Sequence, residues 1–186
     1  MKIVEFRHVT TNDMFDNTYP HWSRKYEYPL LMDEIYNKLL KNIDSPKIHN
    51  TSWGFDTEHH GRFKNELESL YGDGVLNTDI LKSNLPRTDI YDITCSPPEE
   101  YVEMFDCVLN VSALEEITGD HILYFNNLFS QVKLGGYVIL TFDLPGLQLK
   151  RFETLLGQSM QVSESKIYRT SPNYLEVGLL IIQKEV

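Results

Sequence analysis

Cysteine is scarce in this sequence of 186 residues: Cys95 and Cys107 stand alone, with no C-x-x-C pair and no histidine at metal-ligand spacing. A disulfide framework and a thiolate metal centre are thereby excluded, and a reducing, cytoplasmic setting is expected. Glycine (10) and proline (8) are too few for a collagen-like or low-complexity chain. Basic residues are outnumbered, 17 Lys and Arg against 27 Asp and Glu, which leaves a net charge of −10. Such a chain repels phosphate backbones and anionic membrane surfaces, so neither a nucleic acid nor a membrane is expected as partner. Long apolar runs are missing too. The longest, such as Val177 to Ile182, reach about six residues, against the roughly 20 that span a bilayer. Met1 to His8 contain no signal-peptide core. What remains is an acidic chain with 41% hydrophobic and 12% aromatic residues. At this length a folded chain buries roughly 70% of its unfolded surface, enough for one domain with a real core.

The first 28 residues are aromatic and polar without a clear period. Phe15, Tyr19, Trp22, Tyr26 and Tyr28 are too many rings to stay solvated, so this stretch is expected to pack on the body as an arm. Pro29 then suits a first helical turn, and Met32, Ile35, Tyr36, Leu39 and Leu40 follow at helical spacing, predicting a helix over 29–41. Residues 1–44 thus form an N-terminal arm and helix against a body of 45–186. Strands are expected at 47–50, 75–80, 90–93, 105–111 and 137–142, with helices after the first and fourth. In the first of these helices Phe63, Leu67, Leu70 and Tyr71 share a face. In the second, Asp120 is the N-cap and Ile122, Phe125, Leu128, Phe129 and Val132 form the stripe. A further helix is expected over 147–156, and closing strands at 166–169 and 175–183. Alternating β and α segments predict an α/β fold with a mostly parallel sheet and helices on both faces. The short Thr170 to Asn173 turn predicts an antiparallel terminal strand pair.

In such a sheet ligands bind beyond the carboxyl ends of the strands, where strand order reverses. That places Asn50 to Asp56, Asp79, Asp92 and Asn110 to Leu114 at the candidate site. Here the sequence resembles the class I S-adenosylmethionine-dependent methyltransferases over residues 45–186. Phe105-Asp106-Cys107-Val108-Leu109-Asn110-Val111-Ser112-Ala113-Leu114-Glu115-Glu116-Ile117 is similar to that family's fourth-strand segment, FDxVxxxxxLEHI. Val132-Lys133-Leu134-Gly135-Gly136-Tyr137-Val138-Ile139-Leu140 is similar to its LkpGGxlil turn into strand five. The resemblance implies a Rossmann-like, seven-stranded sheet, S-adenosylmethionine as cofactor and S-adenosylhomocysteine as product. It places Asp79 on the ribose hydroxyls, where a carboxylate offers two acceptors, and Asp92 near the adenine amino group. Asn110 and Val111 line the same pocket. The glycine loop departs from the family pattern. Asn50-Thr51-Ser52-Trp53-Gly54-Phe55-Asp56 keeps Gly54, with Ser52 and Asp56 at the outer glycine positions and Asn50 in place of the acid. Trp22-Ser23-Arg24-Lys25-Tyr26-Glu27-Tyr28-Pro29 resembles a segment that folds over the cofactor in small methyltransferases, which implies that Arg24 pairs with the methionine carboxylate.

Ser96-Pro97-Pro98 lies before the fourth strand and reads as loop punctuation. His59 and His60 are adjacent on a helix and point about 100° apart, which does not suit one metal. Glu115-Glu116 replaces the family's Glu-His, removing a group that titrates near neutrality, for which His121 is the substitute in reach. The expected function is methyl transfer to oxygen or nitrogen of a small molecule or sugar, with no catalytic residue assigned. The alternatives are a non-catalytic binding or sensor module with a decayed cofactor loop, and a nicotinamide-dependent oxidoreductase, which the lack of GxGxxG disfavours.

Overall fold

The computed structural model describes residues 1–10, 13–19, 23–53, 61–83, 85–144, 147–157 and 174–186. Seven strands form one sheet: β1 (Lys2–Thr10), β2 (Ile48–Thr51), β3 (Val75–Asp79), β4 (Thr88–Ile90), β5 (Phe105–Val111), β6 (Val132–Asp143) and β7 (Tyr174–Gln183). Their order is β1-β7-β6-β5-β2-β3-β4. β2 to β6 are parallel, and β7 runs antiparallel to β6. The chain moves outward from β2 to β4 and returns to the other side of β2 as β5. Strand order therefore reverses between β2 and β5, where Thr51 pairs with Asn110.

Helices cover both faces. α1 (Arg24–Asp33), continued by a π-helical segment over Glu34–Leu39, and α2 (Gly61–Tyr71) pack on one side; α3 (His121–Ser130) and α4 (Leu149–Leu156) pack on the other. The strand period of two sorts the core. Cys107, Leu109, Val111, Ile139, Leu179 and Ile181 face α1 and α2, while Val108, Val138, Leu140, Phe142, Leu180 and Ile182 face α3 and α4. Among the described residues no helix is long and apolar enough to cross a membrane.

The edge beyond β7 is held by the N-terminal strand β1, antiparallel to it. The stretch read as an arm thus begins inside the sheet. The expected strand at 166–169 lies outside the described residues, and β7 has β1 on one side and β6 on the other. The helix expected over 29–41 starts earlier, at Arg24, with Pro29 in its interior. Proline has no N–H for the carbonyl of Lys25, and the backbone N–H of Asp16 donates to that carbonyl instead, at 2.9 Å. The loop before α1 therefore repairs the ladder that Pro29 breaks. β4 ends at Ile90, so Tyr91 and Ile93 leave the sheet and pack against the α3 side. Asp120 caps α3 as expected, its carboxylate accepting from the N–H groups of Ile122 and Leu123 at 3.0 and 3.2 Å.

The Gly135-Gly136 pair lies within β6, at a register shift against β5. A Cβ on Gly136 would stand 2.7 Å from the carbonyl oxygen of Asp106 and 2.8 Å from Cγ1 of Val132, whereas one on Gly135 would come no nearer than 3.9 Å to Val186. Gly135 is glycine for its φ of +84°. Gly136 is glycine because two backbones meet there. Gly136→Ala is expected to destabilise by roughly 1–3 kcal/mol and Gly135→Ala by about 1 kcal/mol, read from urea unfolding midpoints.

Candidate functional site

The two strands at the reversal end in sharp bends. Ser52 follows β2 with φ +50° and Ser112 follows β5 with φ +41°, both in the left-handed region that side chains other than glycine rarely adopt. Strain of this kind costs roughly 1–3 kcal/mol per residue and concentrates at functional sites. Between the bends lies a cavity of about 190 Å³. Its walls are Asn50, Ser52 and Trp53 from the β2 end and Val111 and Ser112 from the β5 end. Arg24 and Tyr28 from α1 and Phe63 from α2 complete it. The Tyr28 and Phe63 rings stack at 4.3 Å with an interplanar angle of 4°, which fixes the apolar wall.

Three buried polar atoms of this lining have no partner among the described residues: Nε of Arg24, Oδ1 of Asn50 and Nε1 of Trp53. Unpaired buried polar atoms are rare and expensive, and three of them on side chains that line one cavity mark a place for a polar ligand. Two are donors and one is an acceptor. That set suits a group carrying both an anionic and an amino function.

The charges behind the wall are organised as well. Glu27 is 0% exposed. It forms an ion pair with Arg24 and accepts from Ser112 Oγ at 2.6 Å. Burial pushes its carboxyl up, but the Arg24 guanidinium and these hydrogen bonds prevail and hold it below the usual range. Glu115 differs. Burial, together with the charges of Asp143 and Glu27, outweighs the hydrogen bond from the Asp143 N–H (2.6 Å) and pushes its carboxyl up to about 7. The sequence suggested that losing a histidine at 116 removes the group near neutrality; the structure supplies one at Glu115. His121, the substitute considered from sequence, has its Nε2 2.9 Å from the carbonyl of Ile117 and is not among the residues that line this cavity.

Four of the sequence-predicted residues, Arg24, Asn50, Ser52 and Val111, meet around the cavity. Asn110 stands behind it, where Nδ2 donates to Thr51 Oγ1 at 3.1 Å and Oδ1 accepts from the Leu114 N–H at 2.9 Å, tying β2 to the turn after β5. Asp79 ends β3 beside β2, and its carboxylate accepts from the Leu81 N–H at 2.9 Å. Exposed apolar side chains of Ile80, Leu81 and Ile90 surround it in sequence and register. Asp92 forms a turn beyond β4, accepting from the Thr94 N–H at 2.9 Å, and does not line the cavity. Gly54 and Asp56, with His59 and His60, lie outside the described residues. Ser112, within the predicted stretch Asn110 to Leu114, is a wall of the cavity, whereas sequence reasoning missed Phe63 as a wall and Glu27 as the partner of Arg24. A glutamate three residues after an arginine on a helix was the available signal.

No protein-family profile matches the sequence, and no curated protein matches it by sequence. In structure it is similar to the DszA carbon methyltransferase, with a TM-score of 0.61 and 12% identity over 90% of this chain and 56% of that one. It is also similar to the CurJ carbon methyltransferase (TM-score 0.59, 10% identity, 84% of this chain and 54% of that one). A third likeness is to the CMeT domain of the citrinin polyketide synthase (TM-score 0.50, 15% identity, 75% and 46%). The chain spans about half the length of these structures. At such identities the likeness establishes the fold: a Rossmann-like, seven-stranded class I methyltransferase sheet with helices on both faces and antiparallel strands at one end.

Proposed function

We propose that this chain binds S-adenosylmethionine across the ends of β2, β3 and β5 and transfers its methyl group to an oxygen or nitrogen of a small molecule or sugar. The observation that carries this reading is that Arg24 Nε, Trp53 Nε1 and Asn50 Oδ1, all buried and without a partner among the described residues, belong to side chains that line one cavity at the strand-order reversal. Two donors and an acceptor match the carboxylate and ammonium of the methionine end. A volume of about 190 Å³ is below the roughly 300 Å³ at which drug-sized pockets begin, so it takes that end alone. The adenosine end is assigned to Asp79, whose carboxylate offers acceptors to the ribose, and to the apolar Ile80 and Leu81 beside it, with Asp92 toward the base.

Bound there, S-adenosylmethionine supplies an electrophilic methyl carbon. Arg24 holds the anionic end, Tyr28 and Phe63 exclude water from one side, and the bends at Ser52 and Ser112 bring two strand ends against the ligand. Catalysis in this arrangement is mainly alignment, with the nucleophile held in line at about 3 Å. The neighbours of the same fold are methyltransferases by name, which supports the reaction class.

A second reading, a fold retained as a partner or sensor without cofactor, is favoured by the small cavity and by Trp53, 4% exposed, occupying its wall. Calorimetric titration with S-adenosylmethionine and S-adenosylhomocysteine separates the two. Micromolar binding by the wild type that weakens at least about tenfold in Asp79→Ala, the loss of one charge-assisted contact, is the expected result. No binding at millimolar ligand by folded protein overturns the enzyme reading and supports the module.

A further inference from the structure

Asn50 takes the place of an acid, and an amide has two different ends. Which end faces the cavity decides what the cavity can recognise. The answer is imposed from α2, by a line of side chains that starts with a buried lysine. Lys64 is 1% exposed; its Nζ donates to Glu68 Oε1 at 2.6 Å. Asn77 on β3 donates from Nδ2 to the same oxygen at 2.8 Å. Asn50 on β2 donates from Nδ2 to Asn77 Oδ1 at 3.0 Å. β2 and β3 pair with Asn50 opposite Asn77, so the two amides sit side by side on the face that α2 covers.

The roles in this line are forced. A carboxylate that takes the lysine's proton donors can only accept, so Asn77 must turn its amino group to Glu68. Its oxygen then faces Asn50, which must turn its own amino group to Asn77. The remaining end of Asn50, Oδ1, is buried and without a partner among the described residues, and Asn50 lines the cavity. We propose that Lys64, Glu68 and Asn77 are positioning residues that lock the Asn50 amide with its acceptor toward the ligand, so that the cavity selects a ligand bearing an amino or ammonium group. This inference rests on reading the cavity as the seat of the methionine end of an S-adenosyl compound. The acid absent from position 50 has a counterpart two side chains further back, Glu68, whose charge Lys64 neutralises, so the ligand meets the dipole of the Asn50 amide rather than a charge.

The test compares the affinities of S-adenosylhomocysteine and its desamino analogue, in which hydrogen replaces the amino group. The wild type is expected to prefer the amine by roughly 10- to 100-fold, the range of one charge-assisted hydrogen bond. Asn77→Ala frees the Asn50 amide to turn, and the preference should fall below about threefold while the desamino compound binds as before. The double variant Lys64→Met, Glu68→Leu acts one step further away without stranding a buried charge, and should give the same loss if Asn77→Ala does not fold. A structural role alone would weaken both compounds equally and keep their ratio, and that result in a folded variant overturns the proposal. A wild type that binds both compounds equally overturns it too, with the cavity still assigned. A wild type that binds neither overturns the assignment of the cavity, and the positioning role falls with it.

Discussion

Arg24→Ala is expected to lower the unfolding free energy at pH 8 by roughly 3–5 kcal/mol, the loss typical of leaving a buried charge without its partner. Glu27 is fully buried, with Arg24 on one carboxylate oxygen and Ser112 Oγ on the other at 2.6 Å. Removing the guanidinium leaves only the hydroxyls of Ser112 and Thr141 to replace the hydration of a full charge. The pH dependence changes sign with it. In the wild type the Glu27 carboxyl lies below its ordinary value of 4.5. Its contribution is therefore complete above that pH and is lost as pH falls through the depressed value. Without Arg24, burial, the largest influence on this carboxyl, is opposed only by the hydroxyls of Ser112 and Thr141 and raises it, so the variant loses stability as pH climbs above 4.5. The double variant Arg24→Met, Glu27→Leu replaces the pair by apolar volume and is expected to recover most of the loss, because a buried ion pair contributes little net stability. Urea unfolding at pH 5 and pH 8 reads all three, provided the slope with denaturant stays constant. An Arg24→Ala variant within about 1 kcal/mol of wild type at pH 8, the median worth of an exposed pair, would show that Glu27 does not depend on it.

The pair also shows what could be read before the fold was known. The segment around Arg24 resembles one that folds over the cofactor in small methyltransferases, and the structure has Arg24 in the cavity wall. The strand over 105–111 and the helix capped by Asp120 were legible because local signals and burial agree there. β1 was not. Its register slips between Ile3 and Glu5 and again between His8 and Thr10, which breaks the period of two. Its partner β7 lies at the other end of the chain, so no local pattern announces the pairing. The lock on Asn50 was half legible: Lys64 and Glu68 stand four apart on a helix, but the meeting of Asn50 with Asn77 depends on the register of β2 against β3. Glu115 was illegible for a deeper reason. Its environment is assembled from β6 and α1, through Asp143 and Glu27, and no single stretch of sequence contains it.

That environment makes the second large effect. Glu115→Gln is expected to match wild-type stability near pH 4 and to exceed it by roughly 2 kcal/mol at pH 8, a value set below the full conversion of the shift because the group is partly exposed. The Glu115 carboxyl lies at about 7 in the folded protein against an ordinary 4.5. Between those values the folded chain binds more protons than the unfolded one, so stability falls as pH rises across that window and is level above it. Glutamine keeps an oxygen for the Asp143 N–H and removes the ionisation. A difference between the two proteins that stays flat from pH 4 to pH 8 would mean that Glu115 ionises freely in the fold. A difference that opens with pH would mean that the chain retains a carboxyl where glutamine is more stable, behind the serine bend that lines the cavity. A residue kept against stability beside a candidate site is the pattern that a functional requirement leaves. The same variant, titrated with S-adenosylhomocysteine at pH 6 and pH 8, then tells whether that requirement concerns the cofactor, because a wild-type affinity that changes with pH would become pH-independent in Glu115→Gln.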